Sequence, residues 1–174
     1  MIKVTFPDGN IKEFENGVSV LDVAESISPA LKRDVLCAKV NDEIVDIRTT
    51  LDKDVSIVFY KFDDLDGKKA FWHTTSHILA QAVKRIYGDK VKLAIGPSID
   101  NGFYYDFDTE TPLFESDLEK IEAEMKKIVK ENISIEKYVL PRQEAIDYKK
   151  EQKEDYKVEL IEDLPEDSII SFYK

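Results

Sequence analysis

Ile2-Lys3-Val4-Thr5-Phe6-Pro7-Asp8-Gly9-Asn10-Ile11-Lys12-Glu13-Phe14 opens the chain and decides how its first third folds. Ile2, Val4 and Phe6 alternate with polar neighbours, the period of a strand with one buried face. Pro7-Asp8-Gly9-Asn10 supplies turn chemistry, and Ile11 to Phe14 returns as a second strand. Working outward, Ser19 is placed to cap a helix carrying Val20, Leu21, Val23, Ala24 and Ile27. Asp22, three residues on, completes a capping-box pattern, and Pro29 lies just past the end. An apolar run from Val35 to Val40 follows, then polar Asn41-Asp42-Glu43, a short Ile44-Val45 step, and an alternating strand through Val55, Ile57 and Phe59. One helix suffices to cover one face of such a sheet, so residues 1–62 are expected to form a β-grasp, ubiquitin-like lobe. It has no histidine and no glycine-rich phosphate loop, and Cys37, set in an apolar strand, reads as core rather than nucleophile.

The remaining residues must form something separate. The chain has 174 residues, 43% of them hydrophobic, enough for one ordinary domain or two small ones. Its single cysteine excludes a disulfide framework, and neither a charged-then-apolar leader nor a run of about 18 apolar residues appears. A cytoplasmic protein without membrane contact is the expectation. The formal net charge of -11 argues against strong nonspecific attraction to a phosphate backbone.

Residues 61–69 are dense in charge and break every periodicity, so 63–69 are read as a linker and 70–174 as a second domain. Its first element is a helix over about 71–87, with a broad apolar arc that includes Phe71, Trp72, Ile78, Leu79, Ala82, Val83 and Ile86. His73 and His77, the only two histidines, fall at the edge of that arc. At four residues apart they stack on one helix face, about 6 Å apart along the axis. Val91 to Ile95 and Gly102 to Asp108 read as strands joined through an Asn101-Gly102 turn, with Phe103, Tyr105 and Phe107 on one face. Ser116 and Glu119 form a capping box ahead of a helix with Leu118, Ile121, Met125, Ile128 and Val129. Ile133 to Leu140 is expected as a strand, Pro141 to about Lys153 as a polar helix, and Tyr156 to Ile161 and Ile169 to Tyr173 as strands. The fold class is therefore α+β, and the last strand ends abruptly, as if the second domain were truncated at its C-terminal side.

Three readings of the histidine pair stay open on spacing alone. Two histidines at i and i+4 can ligate one cation, but Thr74 stands where zinc proteases carry their glutamate base, and no further histidine offers a third ligand. No metal site is assigned. Acid–base or water-positioning work near neutral pH is the second reading, and plain surface hydrogen bonding is the third.

The motifs together resemble a known family. A β-grasp lobe, a charged stretch, Trp72-His73-Thr74-Thr75-Ser76-His77-Ile78-Leu79, then Ala94-Ile95-Gly96-Pro97 and Asp100-Asn101-Gly102-Phe103-Tyr104-Tyr105-Asp106 resemble the amino-terminal region of bacterial threonyl-tRNA synthetases. The first lobe looks like a TGS domain and the second like the editing domain shared with alanyl-tRNA synthetases. The resemblance implies a ligase that also hydrolyses seryl-tRNA made in error on threonine tRNA. One missing methyl is worth only about 1 to 3 kcal/mol of discrimination, so binding alone cannot reject serine. In the family pattern His73 and His77 line the editing cleft, Lys157 matches its lysine, and Tyr105 is a candidate for contacting the tRNA end. A later Cys-x-x-x-His pair would lie beyond Tyr173. The resemblance also implies the tRNA acceptor end as partner and a homodimeric full-length enzyme. It implies no cofactor in this stretch, with ATP, magnesium and a catalytic-core zinc held elsewhere. A TGS-type regulatory module and a freestanding deacylase are the alternatives.

Overall fold

The computed structural model describes residues 1–134 and 136–173, and the chain divides into two compact units, Met1–Thr74 and Thr75–Lys174. In the first unit, β1 (Ile2–Thr5) pairs antiparallel with β2 (Ile11–Phe14), Ile2 opposite Phe14 and Thr5 opposite Ile11. Gly9, at φ +83°, makes the turn, and the Phe6 N–H closes it on the Asn10 carbonyl at 2.8 Å. Next come β3 (Val18–Ser19), α1 (Val20–Ile27), α2 (Pro29–Asp34), β4 (Cys37–Val40), β5 (Glu43–Val45), β6 (Thr50–Leu51) and β7 (Val55–Tyr60). The main sheet runs β2-β1-β7-β4-β5, and only β1 and β7 are parallel, with Val4 opposite Val55. That central parallel pair, made by the first and last strands with a helix crossing between them, is the β-grasp arrangement. Val20 and Val23 from α1 close the core on Ile2, Val4, Ala38, Leu51, Val55 and Ile57.

The capping box at Ser19 and Asp22 is formed: Ser19 Oγ accepts from the Asp22 N–H at 3.1 Å. Pro29 does not simply follow a helix but opens a second one. It occupies the first position of α2, where its missing N–H costs nothing, and Ser28 Oγ accepts from the Leu31 N–H at 3.0 Å.

The stretch read as a linker is largely helical, because α3 (Leu65–Tyr87) starts inside it. The Asp64 carboxylate accepts from the Lys61 N–H at 2.7 Å, and the Asp64 carbonyl accepts from the Lys68 N–H at 2.9 Å. A Cβ on Gly67 would lie 1.8 Å from the Lys61 carbonyl oxygen, so the chain folds back here only because residue 67 is glycine. Phe62, Phe71 and Trp72 then pack edge to face, with ring centroids 5.1 to 5.9 Å apart.

In the second unit, β8 (Val91–Leu93), β9 (Ser98–Ile99), β10 (Gly102–Phe103) and β11 (Phe107–Thr109) make two antiparallel pairs, β9 with β10 and β8 with β11. Gly102 pairs with Ile99, so the two-residue turn is Asp100-Asn101, one position earlier than expected. Then follow α4 (Glu115–Glu131), β12 (Lys137–Leu140), α5 (Arg142–Glu151), α6 (Asp155–Glu162) and β13 (Ile170–Tyr173). α4 begins ahead of the expected Ser116–Glu119 box: the Asp117 carboxylate accepts from the Phe114 N–H at 2.9 Å. Ile121 and Ile128 of α4 pack on Ala82, Val83 and Val91, while Arg85 grips Glu131 at 2.6 Å. β12 and β13 pair antiparallel over a second core of Ala145, Ile146, Val158, Ile161 and Ile170. Of the strand expected from Ile133, Ile135 lies outside the described residues.

The expected strand Tyr156–Ile161 is a helix. Val158 and Ile161, three apart, are buried while Glu159 and Leu160 are exposed, which is helical rather than alternating burial. The Arg142 guanidinium donates to the carbonyls of Ile161, Leu164 and Pro165 and so satisfies the C-terminal end of α6. Among the described residues no helix is long and apolar enough to cross a membrane.

Candidate functional site

α3 carries both histidines, His73 one turn before His77, and both are exposed. Between them Ser76 is fully buried, with 0% of its surface accessible. A buried hydroxyl requires a partner, and Ser76 Oγ donates to the Gly96 carbonyl at 3.0 Å. The residue beside His77 thus ties α3 to the extended segment Ala94–Gly96. Desolvation lowers the His73 imidazole below its usual 6.5. The His77 ring stands 6.2 Å from that of Tyr173.

Ala94 and Ile95 are bound in turn to the segment between β10 and β11 that carries Tyr105: the Ala94 N–H reaches the Asp106 carbonyl at 3.1 Å, and the Asp106 N–H reaches the Ile95 carbonyl at 2.8 Å. Tyr105 is half-buried and stacked on Phe107 with centroids 4.8 Å apart. Its ring lies so close to Gly96 that a Cβ there would come within 2.1 Å of Cδ2. Burial, with the nearby Glu154 carboxylate, raises the Tyr105 phenol.

Three consecutive residues dock α6 on the same ribbon. Asp155 pairs with Lys92 at 2.7 Å, the Tyr156 hydroxyl donates to Asp108 at 2.9 Å, and Lys157 Nζ donates to the Ala94 carbonyl at 2.6 Å. Lys157 Nζ also lies 5.9 Å from the centre of the Tyr105 ring. Burial lowers its pKa, the Glu154 carboxylate opposes that, and the Lys149 ammonium adds to it. An ammonium has three donors and the Ala94 carbonyl takes one, so two remain for another oxygen.

The structure therefore brings Lys157 and Tyr105 together, and places Ser76, next to His77, on the backbone that Tyr105 presses against. His73 belongs to the first unit and shares the helix with His77. Sequence reasoning missed Ser76, Gly96 and Glu154. A serine flanking a histidine on an apolar helix face was the one signal for Ser76, and nothing local marks Glu154. Among the described residues no group of three or more histidine, cysteine, aspartate or glutamate side chains converges to hold a metal ion.

Residues 2–59 match the TGS domain family. The first lobe is a TGS domain. Beyond the TGS domain the likeness continues: all 174 residues align with the threonine–tRNA ligases of Clostridioides difficile at 60% identity, Clostridium botulinum at 58% and Acetivibrio thermocellus at 56%. The chain matches the amino-terminal part of these ligases over its full length and spans 27% of each of them.

Proposed function

We propose that these residues serve as the proofreading part of a threonine–tRNA ligase, with the second unit hydrolysing seryl-tRNA made in error. The end-to-end identity with the ligases supports the ligase reading. The Ala94–Gly96 backbone carries the hydrolytic one: it is bonded through Gly96 to the residue beside His77 and through Ala94 to Lys157.

In this reading the 3′-terminal ester lies along that backbone. One histidine of the pair takes a proton from water as the water oxygen bonds to the ester carbonyl carbon. The tetrahedral oxyanion that forms is met by the two remaining donors of the Lys157 ammonium. The other histidine holds the ribose hydroxyl, and Tyr105 offers a fixed aromatic face to the terminal adenosine. Collapse of the intermediate breaks the bond to the ribose oxygen, which takes up the proton, and serine leaves. ATP, magnesium and zinc would serve aminoacylation on other parts of the longer ligase.

In a full-length ligase carrying this sequence, His73→Ala and His77→Ala are each expected to slow seryl-tRNA hydrolysis by about 10²- to 10⁴-fold while threonylation is retained. Unchanged hydrolysis in both variants removes the reading.

A further inference from the structure

α6 has only eight residues, too few to hold a helix in water by themselves, so contacts from other elements must place it. Its N-cap is Glu154, and a residue there ordinarily turns its side chain back to accept from the first N–H groups of its own helix. Glu154 does not. Its carbonyl accepts from the Lys157 and Val158 N–H groups at 2.9 and 3.2 Å, but its side chain makes no capping bond. The carboxylate is buried instead, with 9% of the residue accessible, and Oε1 stands 3.4 Å from Lys84 Nζ on α3. Oε2 has no hydrogen-bond partner. A buried, half-satisfied ion pair is a poor source of stability, since well-packed apolar side chains often do as well; what it supplies is direction.

Lys84 ties that carboxylate to the ribbon. Its ammonium donates to the Val91 carbonyl at 3.1 Å, while Asp89 stands farther off, at 3.9 Å, with its side chain fully exposed. Val91 opens β8, and three residues on, the Ala94 carbonyl accepts from Lys157 Nζ at 2.6 Å. The contacts therefore close a circuit. It runs from Val91 through Lys84 and Glu154 into the first turn of α6, and returns from Lys157 to the same stretch of backbone. The other contacts of α6 constrain it less. Asp155 and Lys92 are both exposed, so water weakens their pair, and the bond from Tyr156 to Asp108 is exposed as well. Val158 and Ile161 hold the helix on its core, but apolar burial is non-directional and does not fix where the helix lies along the ribbon. The turn that delivers Glu154 is itself held: Lys153 takes φ +57°, which few residues other than glycine adopt, and the Glu154 N–H donates to the Lys149 carbonyl at 3.1 Å.

We propose that Lys84 and Glu154 are positioning residues whose buried pair fixes the first turn of α6 against β8, so that Lys157 Nζ meets the Ala94 carbonyl. That this placement serves ester hydrolysis rests on the hydrolase reading, but the placement itself does not. The test therefore reads the Lys157 bond directly, from the ¹³C shift of the Ala94 carbonyl in the intact chain. Lys157→Met removes the donor and marks the shift of the unbonded carbonyl. The decisive variant combines Lys84→Met with Glu154→Gln, because it removes both charges together and leaves no buried ion unpaired. Its Ala94 signal is expected to move most of the way to the Lys157→Met position, while the methyl signals of Val158 and Ile161 stay native. Asp155→Asn, which breaks only the exposed pair with Lys92, should leave the Ala94 signal in place. An unmoved Ala94 signal in the double variant overturns the proposal. An equal movement in Asp155→Asn overturns it too, because any contact of that turn would then serve. If the double variant fails to fold, Glu154→Gln alone decides, with the same movement expected and an unmoved signal contradicting the proposal. Activity is scored separately. In a full-length ligase carrying this sequence, the double variant is expected to lower kcat for seryl-tRNA hydrolysis by roughly tenfold with KM unchanged. A moved Ala94 signal with unchanged hydrolysis supports the placement and removes Lys157 from the hydrolase reading.

Discussion

Gly96 shows how much of the site depends on a single missing atom. The Tyr105 ring occupies the space where a side chain at residue 96 would begin, 2.1 Å from Cδ2. The ring cannot easily yield, because Phe107 stacks on it and Lys157 covers it. Gly96→Ala is therefore expected to force the ring or the backbone to shift, at a cost of about 1 to 3 kcal/mol. The Ala94 and Asp106 amides, whose bonds join the two segments, report the loss most directly. Their native-state hydrogen exchange should quicken by roughly tenfold. Exchange unchanged at both amides means that the ring has room the geometry does not show. Cys37 illustrates the opposite case, a reactive residue type made inert. Burial first, and then Asp66, Asp64 and Asp46, push its thiol up to about 11, so it stays protonated at neutral pH, as its apolar strand implied.

At the scale of elements, local signals succeeded where the chain itself supplies both partners. The Ser19–Asp22 box needs only four residues, and it formed where the sequence placed it. Ser19→Ala removes the acceptor for the Asp22 N–H and is expected to cost about 1 kcal/mol. Hydrogen exchange of the α1 amides at Val23 and Ala24 should then speed up by about fivefold, and no change there would show that packing alone holds the helix. Elements whose ends are secured by distant residues were misread. α6 looks like a strand because Val158 and Leu160 alternate, yet Arg142, more than a dozen residues earlier, closes its end, and Val158 with Ile161 sets its buried face. α3 looks as if it starts near residue 70 because charge hides its first turns, which Asp64 and the close approach at Gly67 secure. The same division holds for the site. His73, His77, Tyr105 and Lys157 were legible as residue types in a family pattern. The Ser76–Gly96 and Lys157–Ala94 bonds were not, since side chains of α3 and α6 there meet backbone carbonyls 20 and 63 residues away.

For the whole molecule, charge decides how strongly these residues can attract a polyanion. The chain has 36 acidic against 25 basic residues, and many of its lysines and arginines are already paired, as Arg85 with Glu131, Lys92 with Asp155 and Lys126 with Glu122 show. Phosphate binding draws its free energy from counterions released by unpaired cations, and a net charge of -11 repels the same phosphates at long range. The Lys157 ammonium can hold one oxygen but cannot attract a polyanion. The 174-residue chain is therefore expected to bind tRNA more weakly than about 10⁻⁴ M at physiological salt, with little change as salt is raised. Fluorescence anisotropy of an end-labelled threonine tRNA over a salt series measures both quantities. A micromolar dissociation constant with a steep salt slope would mean that a local basic surface of this chain holds the tRNA.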